Sequence, residues 1–209
     1  MPTKPQTTKP KPKSKPAPAP RHGNRLPGEI RIIGGQWKRT RVPVADVAGL
    51  RPTPDRVRET LFNWLGQDLT GWRCVDMFAG SGALGFEAAS RGAVDVRMFE
   101  SDAGLLAQLA KVQTRLAATM VQIARGDGIA LAGRLAPDSV DLVFLDPPFE
   151  APIYDKALAA ALRVLAPTGR IYLEAPELWT TERLAAQGLV LARHLKAGAV
   201  HAHLLERAA

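Results

Sequence analysis

Two short segments hold the residue types that could do chemistry. The first is Asp146-Pro147-Pro148-Phe149, directly after the apolar run Val140-Asp-Leu-Val-Phe-Leu145. Consecutive prolines lack backbone N–H groups and hold the chain extended, which leaves carbonyl oxygens available as acceptors. The Asp146 carboxylate and the Pro147 carbonyl would together accept both hydrogens of an amino group on a flat base. Such acceptors favour a pyramidal nitrogen with its lone pair free for in-line attack. A carboxylate at that point also stabilises the positive charge that develops there. Phe149 offers a face on which a base drawn out of its helix would stack.

The second segment is Asp76-Met-Phe-Ala-Gly80-Ser-Gly82-Ala-Leu-Gly85, set between a strand-like run and a helical one. Glycines there let the chain turn tightly and approach a ligand closely. On spacing alone Gly80, Gly82 and Gly85 also satisfy the dinucleotide fingerprint, and Glu100 stands where that motif wants its acid. A nicotinamide-dependent oxidoreductase therefore stays open on this motif. The acids separate the readings. Asp76, Glu100, Asp127 and Asp146 each fall at the carboxyl end of a successive strand, and in an open α/β sheet those ends border one crevice. Such a crevice would repel a pyrophosphate and suits a cationic sulfonium carrying an amino group and a ribose. Glu100 would accept from the ribose hydroxyls, Asp76 would lie near the amino end, and Asp127 would accept from the adenine amine. That combination is S-adenosylmethionine.

The elements that must position these residues read as follows. Strands are expected at Cys74–Phe78, Val94–Phe99, Val121–Ala124, Val140–Leu145 and Arg170–Glu174, with helices starting near Gly82, Ala103, Gly128 and Ile153. Leu189–Leu195 and Val200–Leu205, joined through Lys196-Ala197-Gly198, read as a closing hairpin. A βα alternation of this kind predicts a parallel sheet with helices on both faces. Upstream, Ile30, Ile32 and Ile33 precede Gly34-Gly35, a usual hairpin turn, and Trp37 to Val42 return the chain as a ribbon carrying Lys38, Arg39 and Arg41. A helix then starts after Arg51-Pro52-Thr53-Pro54, with Thr53 as N-cap and Pro54 in the first helical position.

Composition sets the outer bounds. The chain has 209 residues, 46% of them apolar, enough for one core of good size, and no apolar run of membrane-spanning length. One cysteine excludes a disulfide framework and a multi-cysteine zinc site, and suits a reducing cytoplasm. The net charge is +8, and it is unevenly spread. Residues 1–25 hold five lysines and two arginines without an acid, residues 26–59 carry a further net +3, and the remaining 150 residues are slightly acidic. A polyanion approached from the N-terminal end is the natural partner. The Lys/Pro-rich start cannot bury enough surface to offset its ordering entropy and is expected to be a disordered basic tail.

Taken together, DMFAGSGALG and LDPPF resemble the paired signatures of class I methyltransferases that use S-adenosylmethionine on exocyclic amines. RIIGGQWKRTRVPV followed by LRPTPDRVRETLFNWL is more specific, and is similar to the bacterial enzymes of the RsmD type that methylate guanine N2 in 16S ribosomal RNA. The likeness runs from about Arg31 to Leu205, including SRGA and the late Lys196-x-Gly198 turn. It implies a Rossmann-like, mostly parallel sheet with a C-terminal antiparallel hairpin, plus a small N-terminal β-ribbon and helix. It implies cofactor contacts at Asp76, Gly80, Gly82, Glu100 and Asp127, and amine recognition at Asp146, Pro147 and Phe149. The expected organisation is a tail at 1–25, a ribbon and helix at 26–70 that hold RNA and cover the cofactor, and a catalytic domain at 71–209. Lys38, Arg39, Arg41, Arg51 and Arg58 are the candidate RNA contacts, although Arg51, Arg56 and Arg58 could equally pair with acids such as Glu59. The expected partner is 16S RNA or an assembling small ribosomal subunit, met in the cytoplasm by a monomer with neither metal nor membrane.

Two rivals keep part of the pattern: a DNA adenine-N6 methyltransferase, and an RNA-binding module without catalysis. The bland readings are that Cys74, Trp64, Trp72 and Trp179 fill core or interface, and that His201 and His203 pack along an edge strand instead of ligating a metal.

Overall fold

The computed structural model describes residues 28–44, 53–148 and 153–208. The basic tail, Arg51, Pro52 and Phe149 lie outside the described residues. Nine strands and six helices follow one another there as β1 Glu29–Arg31, β2 Arg41–Pro43, α1 Asp55–Trp64, β3 Arg73–Asp76, α2 Ala83–Ser90, β4 Asp95–Glu100, α3 Ala103–Leu116, β5 Val121–Arg125, α4 Gly128–Ala132, β6 Val140–Leu145, α5 Tyr154–Val164, β7 Leu165–Ala175, α6 Thr181–Ala185, β8 Leu189–Ala197 and β9 Val200–Arg207.

Seven of the strands form one sheet in the order β5-β4-β3-β6-β7-β9-β8. The first five run parallel, and β9 and β8 close the edge antiparallel. This is the Rossmann-like sheet with its late hairpin that the alternating pattern predicts. Strand order reverses between β3 and β6, which opens a crevice at their carboxyl ends. β6 is the central strand and nearly continuous in apolar residues, as a strand covered on both faces must be.

The strand period of two sorts side chains into two cores. Cys74, Leu142, Phe144 and Tyr172 face the side where Leu61, Phe62, Phe86 and Leu109 of α1, α2 and α3 pack. Val75, Val143, Leu145 and Leu173 face the other side, with Leu158, Leu184 and Trp179. Cys74 and Trp179 are therefore core residues, and Trp64 and Trp72 pack half-buried against the first core. The buried His203 ring accepts from Trp179 N and lies 3.2 Å from Leu173 O, while His194 and His201 contact each other. His201 and His203 therefore pack within the sheet and not along its edge, because β9 is flanked by β7 and β8 and only β8 is the edge strand.

The N-terminal ribbon differs from its expected form. β1 and β2 do pair antiparallel, but nine residues join them, and Lys38 and Arg39 sit in a turn instead of a strand. The cause is α2. Its buried Glu87 takes the backbone N–H groups of Ile33 and Gly34, each at 2.8 Å, and Ser90 takes those of Gln36 and Trp37. Those bonds outcompete a strand ladder. Gly35 is required by this close approach: it has φ 70°, and a Cβ there would overlap the Ser90 carbonyl.

Arg58 is the second correction. It is 0% exposed and cannot touch RNA. Its guanidinium donates to Glu87, Asp55 and the carbonyls of Thr53 and Arg31. Arg91 completes the Glu87 cluster from the next turn of α2, with its own ring contact on Phe62. A buried carboxylate demands this saturation. Thr53 also differs from expectation. Pro54 occupies the cap position of α1 with no side-chain bond, and the Thr53 hydroxyl donates instead to Glu174 at 2.8 Å. Helix α6, capped by Thr180, was not anticipated.

Candidate active site

The glycine segment leaves the end of β3 and enters α2. Gly80 and Gly82 hold φ of 52° and 79°, which bends the loop over the sheet rim. Beneath it lies Asp76, 2% exposed, whose carboxylate accepts the backbone N–H groups of Phe78 and Gly85. Burial raises its pKa to about 7 against those two bonds, and the charges of Glu100 and Glu174 add to the rise.

Glu100 ends β4 on the neighbouring strand. One carboxylate oxygen accepts from Gly80 N and the other from Asp102 N, each at 2.9 Å. The glycine loop and the start of α3 are thus fixed to one side chain whose oxygens each keep an unused lone pair. Asp127 follows β5 and caps α4, its Oδ1 accepting from Ile129 N and Ala130 N. It is exposed, and Oδ2 takes no hydrogen bond among the described residues. The neighbouring Gly128 presses so closely on Met77 O that a Cβ would overlap it, and this contact draws Asp127 in beside the glycine loop.

Asp146 stands one residue past β6, across the switch point. Phe144 is in register with Asp76 on one side and with Tyr172 on the other. Two residues further on, Asp146 therefore shares the face of Asp76 and lies beside Glu174 of β7. Its carboxyl is held well above the ordinary carboxylate range, first by burial, then by the charges of Glu174 and Asp76. Pro147 is buried and Pro148 exposed.

The structure thus brings Asp76, Glu100, Asp127 and Asp146 to successive carboxyl ends at one rim, and it adds Glu174. That residue is 3% exposed, and its Oε1 accepts the hydroxyls of Thr53 and Tyr172. Burial raises its pKa, partly opposed by those two bonds. Sequence reasoning passed over it, although it carries the same signal as the others: an acid at the end of a parallel strand.

The cationic residues lie elsewhere. Lys38 and Arg39 are exposed on the ribbon turn, and Arg41 is exposed and paired with Glu29 at 3.0 Å. Beside the turn opens a cavity of about 500 Å³ lined by Arg31, Lys38, Arg39 and Arg91, with Glu59 and Gln67 completing the wall. It sits at the far end of α2 from the glycine loop, roughly 12 Å away at 1.5 Å per helical residue.

Comparison with known proteins adds the following. The family model described as "Conserved hypothetical protein 95" matches residues 30–206. The "Ribosomal RNA small subunit methyltransferase D" of Escherichia coli (strain K12) is 45% identical over 132 residues, 63% of this chain and 66% of that protein. The protein of the same name in Haemophilus influenzae is 39% identical over 176 residues, 78% of this chain and 91% of its own length. Among solved structures, a putative methyltransferase from Escherichia coli superposes with a TM-score of 0.75 at 38% identity, covering 87% of this chain and 99% of that one. A putative methylase from Haemophilus influenzae gives 0.71 at 32%, covering 87% and 100%.

Proposed function

The chain belongs to the Conserved hypothetical protein 95 family, and on that premise we propose that it transfers a methyl group from S-adenosylmethionine to the exocyclic N2 amine of a guanine in 16S ribosomal RNA, in the cytoplasm. The observation that carries this reading is the pairing, across the β3–β6 switch point, of a glycine loop pinned by Glu100 with the Asp146-Pro147 corner. The names of the relatives support the RNA substrate, and the basic turn at Lys38 and Arg39 supports a phosphate-bearing partner.

The residues fit the cofactor. Glu100 keeps acceptor capacity for two ribose hydroxyls, and Asp127 keeps Oδ2 for the adenine amine. When bound, the cofactor supplies a methyl group on a cationic sulfur. Everything else falls to this chain. Asp146 and the Pro147 carbonyl accept the two amine hydrogens and turn the nitrogen's lone pair toward the glycine-loop side. As the C–N bond forms, the bond from the methyl carbon to sulfur would break and leave a neutral thioether, while positive charge passes to the nitrogen, faced by the half-buried Asp146 carboxylate; the surplus proton then leaves to solvent. Residues 26–70 hold the RNA by its phosphates at the turn, a helix length away from the chemistry.

Transfer of labelled methyl groups to free 16S RNA, partly assembled subunits and whole ribosomes tests the reading, followed by digestion and mass analysis of the product. N2-methylguanine is expected. N6-methyladenine, or no transfer to any RNA, would overturn it. Asp146→Ala should lower turnover by about 10²–10³ or more while cofactor binding persists, and wild-type turnover in that variant would remove the assigned role.

A further inference from the structure

Glu174 is a buried carboxylate that the transfer reaction as described leaves without work. Thr53 and Tyr172 both donate to Oε1, at 2.8 and 2.9 Å, so that oxygen is fixed from two directions. Oε2 takes no hydrogen bond among the described residues. An ionised carboxylate only accepts, and a buried one with an open oxygen wants a donor.

Register tells where that donor must come from. Leu145 is in register with Leu173, so Asp146 and Glu174 are the next residues up on adjacent parallel strands, about 4.8 Å apart by strand spacing. Both fall on the face that carries Phe144 and Tyr172. The opposite flank of Asp146 is β3 and the glycine loop, where the methyl donor sits in the proposed function. An amine held at Asp146 therefore presents the rest of its base edge toward β7, and the first carboxylate it meets there is Glu174.

Guanine carries two donors side by side on its Watson–Crick edge, the N2 amine and N1–H. Adenine carries a bare acceptor at N1. We infer that Glu174 is the specificity-determining residue for the base: its Oε2 accepts from guanine N1–H while Asp146 and Pro147 accept from the adjacent amine. The lone pair of an adenine N1 would face that carboxylate and be repelled. The same applies to any purine that keeps the 2-amine but lacks hydrogen on N1. Thr53 and Tyr172 are positioning residues, since they fix the orientation of the carboxylate without touching the base. This assignment rests on the proposed function and adds to it the means by which guanine is chosen.

The test compares two small-subunit RNAs, joined by ligation so that the target guanosine in one is replaced by 2,6-diaminopurine riboside. Both offer the same 2-amine, and only guanine has N1–H. The wild-type protein is expected to favour guanine by about 10²-fold or more in kcat/KM, because a site built around a donor rejects the analogue lacking it. Glu174→Gln removes the charge, keeps the shape and supplies an amide that can donate to a bare N1. It should lose activity on guanine and bring the ratio below about tenfold, with cofactor affinity by calorimetry unchanged.

A purely structural Glu174, serving only to tie α1 to the sheet through Thr53, would lower both rates together and leave the ratio where it was. That result overturns the inference. Equal rates for the two RNAs with the wild-type protein overturn it as well, and this arm needs no variant to fold. If N2-methylguanine forms and the ratio is flat, only the role of Glu174 falls. If neither RNA is methylated, the proposed function falls with it.

Discussion

Glu100 and Asp76 are both acids at strand ends, yet the structure separates their work. Glu100 has an unfilled lone pair on each oxygen, whereas Asp76 is sealed beneath the loop against the backbone N–H groups of Phe78 and Gly85. Replacing Glu100 with Ala should therefore weaken cofactor binding by roughly 10–100-fold, the value of hydrogen bonds to a charged acceptor. An unchanged dissociation constant by calorimetry would count against that contact. Asp146 and Glu174 bear on pH. Their carboxyls are both raised, chiefly by burial, so the ionised Asp146 that faces the developing positive charge, and the ionised Glu174 that takes N1–H, are lost on acidification earlier than an ordinary carboxylate. The acid limb of kcat should accordingly lie above the usual carboxylate range near 4. A profile flat down to that range would show that neither ionisation matters to the chemistry. The acids at β3, β4, β5 and β6 were legible because a carboxylate after an apolar strand is a local pattern. Glu174 carried the same pattern. Its bonds to Thr53 and Tyr172 could not be read, since the partners lie 121 residues away in one case and hang on strand alternation in the other.

Helix α2 is the element that links the two ends of the molecule. Its start carries the glycine loop and its end carries the ribbon turn, with Glu87 between them holding Arg58, Arg91 and two backbone N–H groups. Removing one member of such a cluster leaves a buried charge without its counter-charge. Arg58→Ala should cost about 3–5 kcal/mol of folding free energy, read by denaturant unfolding. Arg39→Ala should behave in the opposite way. Its side chain is exposed, so stability should change by no more than about 0.5 kcal/mol. RNA affinity should nevertheless fall, and its salt dependence should flatten by roughly one counterion per lost phosphate contact. If Arg58→Ala is as stable as Arg39→Ala, the Glu87 cluster does not hold the ribbon. From the sequence these arginines looked alike, crowded into one basic stretch. Burial made them different, because α1 turns Arg58 inward to a carboxylate that belongs to another helix.

At the scale of the whole molecule, acids at the strand ends gather at the sheet rim, three of them with raised carboxyls. The rim has a consequence for stability. Asp76 has a folded pKa of about 7, above its unfolded value near 3.8. Its neutral form favours folding at low pH, and that contribution disappears as pH rises through 7. Asp146 and Glu174 are shifted in the same direction. The ligand-free protein should therefore melt several degrees lower at pH 8 than at pH 5.5. A melting temperature that stays the same between these two pH values would show that the fold does not hold these carboxyls neutral. Removing residues 1–25, the most basic stretch of the sequence, should reduce RNA affinity at low salt more than it reduces catalytic rate. Unaltered affinity and salt slope would leave that segment a solubilising one.

By itself the sequence determined the alternation of strands and helices, the sheet with its closing hairpin, and the acids at the strand ends. Each follows from hydrophobic period and from turn chemistry within a few residues. Tertiary structure decided which polar groups find which partners. It took the backbone of the ribbon turn for Glu87 and Ser90, made Arg58 internal, moved Thr53 from the helix cap to Glu174, and set Glu174 beside Asp146. The physical reason is common to all four. A buried donor or acceptor must be satisfied by whatever group the fold brings near, and that group is chosen by packing across the sheet, where separation along the chain carries no information.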